Sequence, residues 1–240
     1  MTDPDSPPQI EVTINAPPEL VWRALRDPEL LRRWHGWHMD GSGLEDEIRV
    51  IYHTGAIEDP VGLVLQLGDQ DRFSLHPTAG GTIVRITRPP RTDESEWAAY
   101  YDDITEGWQT FLEQLRFAVE RHQLAERRTL VLDGSLRSKG TVIDALGLSD
   151  VATLPPGSPY RVSIQTGEEI SGQVWARRQN QLAITVDGYG DGLLILAEQP
   201  RSAHRPDGGA LVVLTAYGLE DAAFEKVQAG WSRWWASAGQ

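Results

Sequence analysis

Residues 10–14, Ile10-Glu11-Val12-Thr13-Ile14, alternate apolar and polar side chains, the pattern of a strand with one buried face. Asn15-Ala16-Pro17-Pro18 stops that strand and opens a helix, because proline is tolerated in a first helical turn. Leu20, Val21, Ala24 and Leu25 then form a helical stripe. Asp27-Pro28 breaks it, and residues 29–34 predict a second short helix. Segments 47–52, 61–67, 71–75 and 82–87 read as strands divided by Gly, Asp and Pro turns. A long helix is predicted over 103–122, with Asp103 and Glu106 at capping-box spacing. Its apolar face carries Ile104, Trp108, Phe111, Leu115 and Ala118. The predicted order is strand, two short helices, antiparallel meander and long closing helix.

The second half repeats this order. Gly80-Gly81-Thr82-Ile83-Val84-Arg85-Ile86-Thr87 has a counterpart in Gly208-Gly209-Ala210-Leu211-Val212-Val213-Leu214-Thr215, and His76 and His204 keep the same spacing. Gly107-Trp108 matches Gly230-Trp231, and residues 20–25 resemble 141–146. The same order of matches predicts two tandem copies of one fold. The expected domains are 9–125 and a divergent 126–240, after a disordered Pro-rich tail over 1–8.

Composition narrows the function classes. The 240 residues carry 22 Lys+Arg against 35 Asp+Glu, a net charge of −13 lying mostly in the first half, so a nucleic-acid backbone is an unfavourable partner. With no cysteine, disulfides, thiol nucleophiles and Cys-ligated metals are excluded. No apolar run reaches the ~20 residues of a membrane span, and the acidic N-terminus is unlike a signal peptide. A cytoplasmic protein without membrane insertion is expected.

Residues 10–34, IEVTINAPPELVWRALRDPELLRRW, and the closing run Gly107-Trp108-Gln109-Thr110-Phe111-Leu112-Glu113-Gln114-Leu115 resemble the heat-shock protein 90 ATPase activator homologue family of the START-like (SRPBCC, Bet v-like) superfamily. The resemblance covers 9–122 and is weaker over 129–240. It implies an α+β fold of two helix-grip domains, each a curved antiparallel sheet around a long C-terminal helix, with an apolar ligand pocket between sheet and helix. It also implies two alternatives to ligand binding. One is a cyclase or aromatase acting on polyketide chains through His35, His38 and Arg85; the other is a protein-interaction role, with a protein partner or a homodimer.

The expected ligand wall in the first copy comprises Trp34, Trp37, Phe73, Arg85, Trp108, Phe111 and Leu115. Trp175, Trp231 and Trp234 are its members in the second. Indole suits such a wall because it is large and rigid and carries one N–H donor. Arg85 shares a strand face with Ile83 and Thr87; if that face looked inward, its guanidinium would need an anionic partner. Segment 34–40 carries His35, His38 and Asp40, open to reading as a metal site, a proton donor at a pocket mouth or plain surface histidines. No Walker loop, G-x-S-x-G or catalytic triad is present. The reading is therefore a small hydrophobic ligand, no cofactor, no metal and no catalytic residue.

Overall fold

The computed structural model describes residues 9–38, 43–68, 71–90, 100–202 and 205–239. The predicted tail, Asp40 and His204 lie outside the described residues. The chain divides into two compact units, Met1–Ala125 and Glu126–Gln240.

The first unit runs β1 (Gln9–Ile14), α1 (Pro18–Arg26), α2 (Pro28–Leu31), α3 (Gly43–Ile48), a π-helical turn Arg49–His53, β2 (Ala56–Asp59), β3 (Val64–Leu67), β4 (Asp71–Thr78), β5 (Gly81–Thr87) and α4 (Tyr101–His122). Its sheet has the antiparallel order β1-β5-β4-β3-β2. Alternation sets the faces: Ile10, Val12 and Ile14 of β1 and Thr82, Val84 and Ile86 of β5 point inward. α4 closes that face with Trp108, Leu112, Leu115 and Ala118. α2 begins where Asp27 accepts the Glu29 N–H at 2.9 Å and Pro28 takes the first helical position.

The second unit runs β6 (Arg127–Gly134), α5 (Val142–Leu146), α6 (Ser149–Thr153), β7 (Pro159–Ser163), β8 (Glu169–Arg177), β9 (Gln181–Val186), a 3₁₀ turn Asp187–Tyr189, β10 (Gly192–Gln199), β11 (Gly209–Tyr217) and α7 (Asp221–Ala238). Its sheet order is β6-β11-β10-β9-β8-β7. In both units the first strand pairs with the last, a meander fills the rest of the sheet, and a long helix follows. Both are helix-grip units, the second with one more strand.

The repeated Gly-Gly pairs open β5 and β11. A Cβ on Gly81 would lie 2.2 Å from the Ile14 carbonyl oxygen, so the approach of β5 to β1 requires glycine there. α5 starts with a reciprocal capping box between Thr141 and Asp144 and ends on left-handed Gly147.

Three elements depart from expectation. The predicted strand 47–52 is helical: Leu44, Ile48 and Tyr52 are buried at four-residue spacing while Val50 is exposed. The predicted strand 61–67 is confined to β3, and β2 precedes it. α4 begins at Tyr101, so Asp103 lies inside its first turn rather than capping it. Among the described residues, no helix is long and apolar enough to cross a membrane.

Candidate functional site

The first unit gathers an aromatic cluster between sheet and α4, and the turn after α2 sets its geometry. Trp34 donates its indole N–H to the Ala24 carbonyl at 2.9 Å, tying that turn to α1. Gly36 adopts a left-handed φ of +57°, and its carbonyl accepts the Gln114 amide at 3.3 Å. The reversal turns His35 inward, fully buried, and leaves Trp37 half-buried. Leu44, Ile48 and Tyr52 enter from the other side on α3 and the π turn. π-helical turns cost regular hydrogen bonding and occur frequently at functional positions.

His35 joins two groups from that segment. Tyr52 Oη lies 3.0 Å from His35 Nδ1, and Glu47 Oε1 lies 3.2 Å from His35 Nε2. In the tautomer that donates Nε2–H to Glu47, Nδ1 accepts the Tyr52 O–H; a doubly protonated ring would instead donate to both. Burial, with the Glu47 and Asp71 charges adding to it, holds the Tyr52 phenol well above its ordinary pKa, so it stays neutral.

A second buried polar group lies at the start of β4. Asp71 accepts the Trp108 indole N–H at 2.6 Å and the Arg88 Nε–H at 3.0 Å. The Arg88–Asp71 side chains are only 4% and 8% exposed, so this ion pair is screened little by solvent. Arg88 also donates to the Tyr101 carbonyl at 2.7 Å and to the Thr105 hydroxyl, and its guanidinium carbon lies 4.1 Å from the Tyr101 ring centroid.

Rings connect the two polar groups. Phe111 sits 4.5 Å from His35 and 5.9 Å from Trp108, Phe73 is edge-on to Trp108 at 5.2 Å, and Trp37 is 5.8 Å from Phe111. Such offset and edge contacts suit ring quadrupoles and are worth about 0.5–1.5 kcal/mol each beyond burial.

The structure brings together Trp34, Trp37, Phe73, Trp108, Phe111 and Leu115. Arg85 is a correction. It sits on the outward face of β5 opposite Glu11, with which it forms a cross-strand ion pair, and so does not reach the interior. The parity that turns Val84 and Ile86 inward places Arg88, not Arg85, on the inner face.

In the second unit Trp231 and Trp234 are buried in the core. Trp231 donates to Tyr189 Oη at 3.0 Å, and Tyr189 donates to Glu168 at 2.8 Å. The repeated Gly-Trp thus places an indole that hydrogen-bonds a polar partner in both units. Trp175 is the extra residue of a β-bulge in β8 and stands outside the core cluster. Among the described residues, no group of three His, Cys, Asp or Glu could hold a metal; His38 is exposed.

Sequence reading missed Tyr52, Glu47, Asp71 and Arg88. The signal for the first was the four-residue spacing of Leu44, Ile48 and Tyr52, hidden by an equally good alternation through Arg49 and Val50. Asp71 and Arg88 extend the inward parity of Phe73 and Ile86 by one step.

The fold and this interior define a helix-grip protein with two tandem units. Residues 15–120, within the first unit, match the family described as Activator of Hsp90 ATPase homolog 1-like protein. No curated protein matches the sequence. Among solved structures, DynU16 from the dynemicin biosynthetic locus is 18% identical, with 98% of this chain and 96% of that one covered and a TM-score of 0.34. The di-domain ARO/CYC BexL from the BE-7585A biosynthetic pathway is 12% identical over 94% and 93%, with a TM-score of 0.36. The Aha1 dimer from Colwellia psychrerythraea is 19% identical, covers 47% of this chain and 95% of that one, and has a TM-score of 0.30. At these scores the structural likenesses lend no weight to a function.

Proposed function

We propose that the first unit binds a small, mainly apolar molecule bearing one or two oxygens between its sheet and α4. Trp37 and Phe111, the half-buried rings, form the entrance; Trp108 and Phe73 form the inner wall. His35–Tyr52 and Asp71–Trp108 supply the polar contacts that fix orientation. The observation that carries this reading is the placing of two buried polar groups at the margins of one aromatic cluster, a costly arrangement for a core that only holds helix to sheet.

The test is titration of the full chain with 1-naphthol, an aromatic probe with one hydroxyl, followed by tryptophan fluorescence. Phe111→Ala and Trp37→Ala, at half-buried positions, are each expected to weaken binding by about tenfold. Unchanged affinity in both variants overturns the reading.

The Glu47–His35–Tyr52 chain favours a second reading, proton transfer to a bound substrate. Turnover of a phenolic or carbonyl substrate that vanishes in Tyr52→Phe while naphthol binding survives would establish it. Retained turnover in that variant would dismiss it.

A further inference from the structure

The second unit carries a site unrelated to the aromatic interior. β6 and β10 both end, and β11 begins, at one end of the sheet, where Ala210 pairs with Gly134 and Gln199 with Gly209. Residues 135–140, 198–201 and 207–209 line a cleft of about 760 Å³ there. That volume is within the range of small-molecule sites.

Its chemistry is unlike that of the rest of an acidic chain. Arg137, Lys139 and Arg201 line the cleft. Lys139 is one of only two lysines in the protein. Neither Lys139 nor Arg201 has an ion-pair partner among the described residues. Arg137 is fixed by donating Nε–H to the Gly239 carbonyl at 2.6 Å.

Two carboxylates also line the cleft. Glu198 is already engaged, accepting the Val142 N–H at 2.6 Å. Asp207 is exposed. Gly208 and Gly209 leave the floor free of side chains. Gln199, which lines the same cleft, has a buried Oε1 that no donor reaches among the described residues. A cationic rim calls for an anion, and an orphaned acceptor calls for a hydroxyl.

We infer that this cleft binds a phosphate monoester of a hydroxylated small molecule, with Lys139 and Arg201 on the phosphate and Gln199 accepting from a hydroxyl. Guanidinium and ammonium groups recognise phosphate through charge-assisted hydrogen bonds, and a partly enclosed site strengthens them relative to open solvent.

Ribose 5-phosphate and inorganic phosphate are the probes, titrated into the full chain by calorimetry against sodium chloride of equal ionic strength. Both are expected to bind, the ester more tightly, with affinity falling as salt rises. Lys139→Glu and Arg201→Glu change side chains that hold no other structure, and together they should weaken the ester by at least about tenfold. Backbone amide shifts at Ser138, Lys139 and Gly140 on adding the ester would locate it independently. Three results would overturn the inference: heats no larger than those of chloride, an ester that binds no tighter than inorganic phosphate, or affinity unchanged in the double variant. Naphthol binding in the first unit should be indifferent to these variants.

Discussion

Replacing Asp71 with alanine removes at once the acceptor of the Trp108 indole and the counter-charge of Arg88. Breaking a buried ion pair from one side costs about 3–5 kcal/mol, because the remaining charge stays desolvated. Arg88 keeps the Tyr101 carbonyl, the Thr105 hydroxyl and the Tyr101 ring, so the loss falls near the lower end, about 3 kcal/mol. Asp71→Asn, which retains an acceptor for Trp108, should cost about half of that. The double variant Asp71→Ala/Arg88→Met removes the orphaned charge and should recover most of the stability lost by the alanine variant. Urea unfolding followed by tryptophan fluorescence measures all three. At about 1–3 kcal/mol per M, the single alanine variant should move the first unit's midpoint by roughly 1–3 M. A cost below about 1 kcal/mol, or a double variant as unstable as the sum of the singles, would refute this account.

The remaining predictions concern turns and protons. Gly190→Ala should destabilise the second unit by about 2–4 kcal/mol, since φ is +70° and a Cβ would stand 1.7 Å from the Tyr217 carbonyl oxygen. Gly188→Ala, with no atom within 4 Å, should change stability by less than about 0.5 kcal/mol in the same denaturation assay. Hydrogen bonds from Ser149 and Thr141 lower the Asp144 pKa below its ordinary 3.8. The stability it adds is complete above that value and fades as pH falls through the folded pKa, so the acid limb of an unfolding curve should flatten in Asp144→Ala. Tyr52, held above its ordinary 10.0 by burial, stabilises the fold below pH 10 and loses that effect as pH rises through its folded pKa. Tyr160, Tyr189 and Tyr217 of the second unit are raised by burial as well, so ultraviolet absorbance should show a late-ionising group of tyrosines at alkaline pH, and Tyr52→Phe should reduce its amplitude by one tyrosine.

Much of the architecture was legible because the two halves state it twice. The Gly-Gly pairs before β5 and β11 and the Gly-Trp pairs on α4 and α7 are equivalent in space as in sequence. The closing helix of the second unit, Asp221–Ala238, stands in the same place in the element order as α4. The interior's polar groups were harder to read. Alternation and four-residue spacing both place Ile48 and Tyr52 on one side, and only the exposure of Val50 separates them. Arg85 and Arg88 lie three residues apart on one extended segment, so one step of parity reverses which faces Asp71. The pairing of Glu47 with His35 depends on how the chain returns after Gly36, which local pattern does not encode.

The pairing of each unit's opening strand with its final one bears on how the protein is made. Gln9 finds its partner only at Thr87, and Arg127 only at Tyr217. Neither sheet can close on the ribosome until nearly the whole unit has emerged, so each half waits with an unpaired leading strand. Synthesis in sequence eases that wait, because the first half can close before the second half's terminal strand exists. Slowing translation between the two halves should therefore raise the yield of folded chain, and rapid refolding of the full polypeptide should be the less forgiving route.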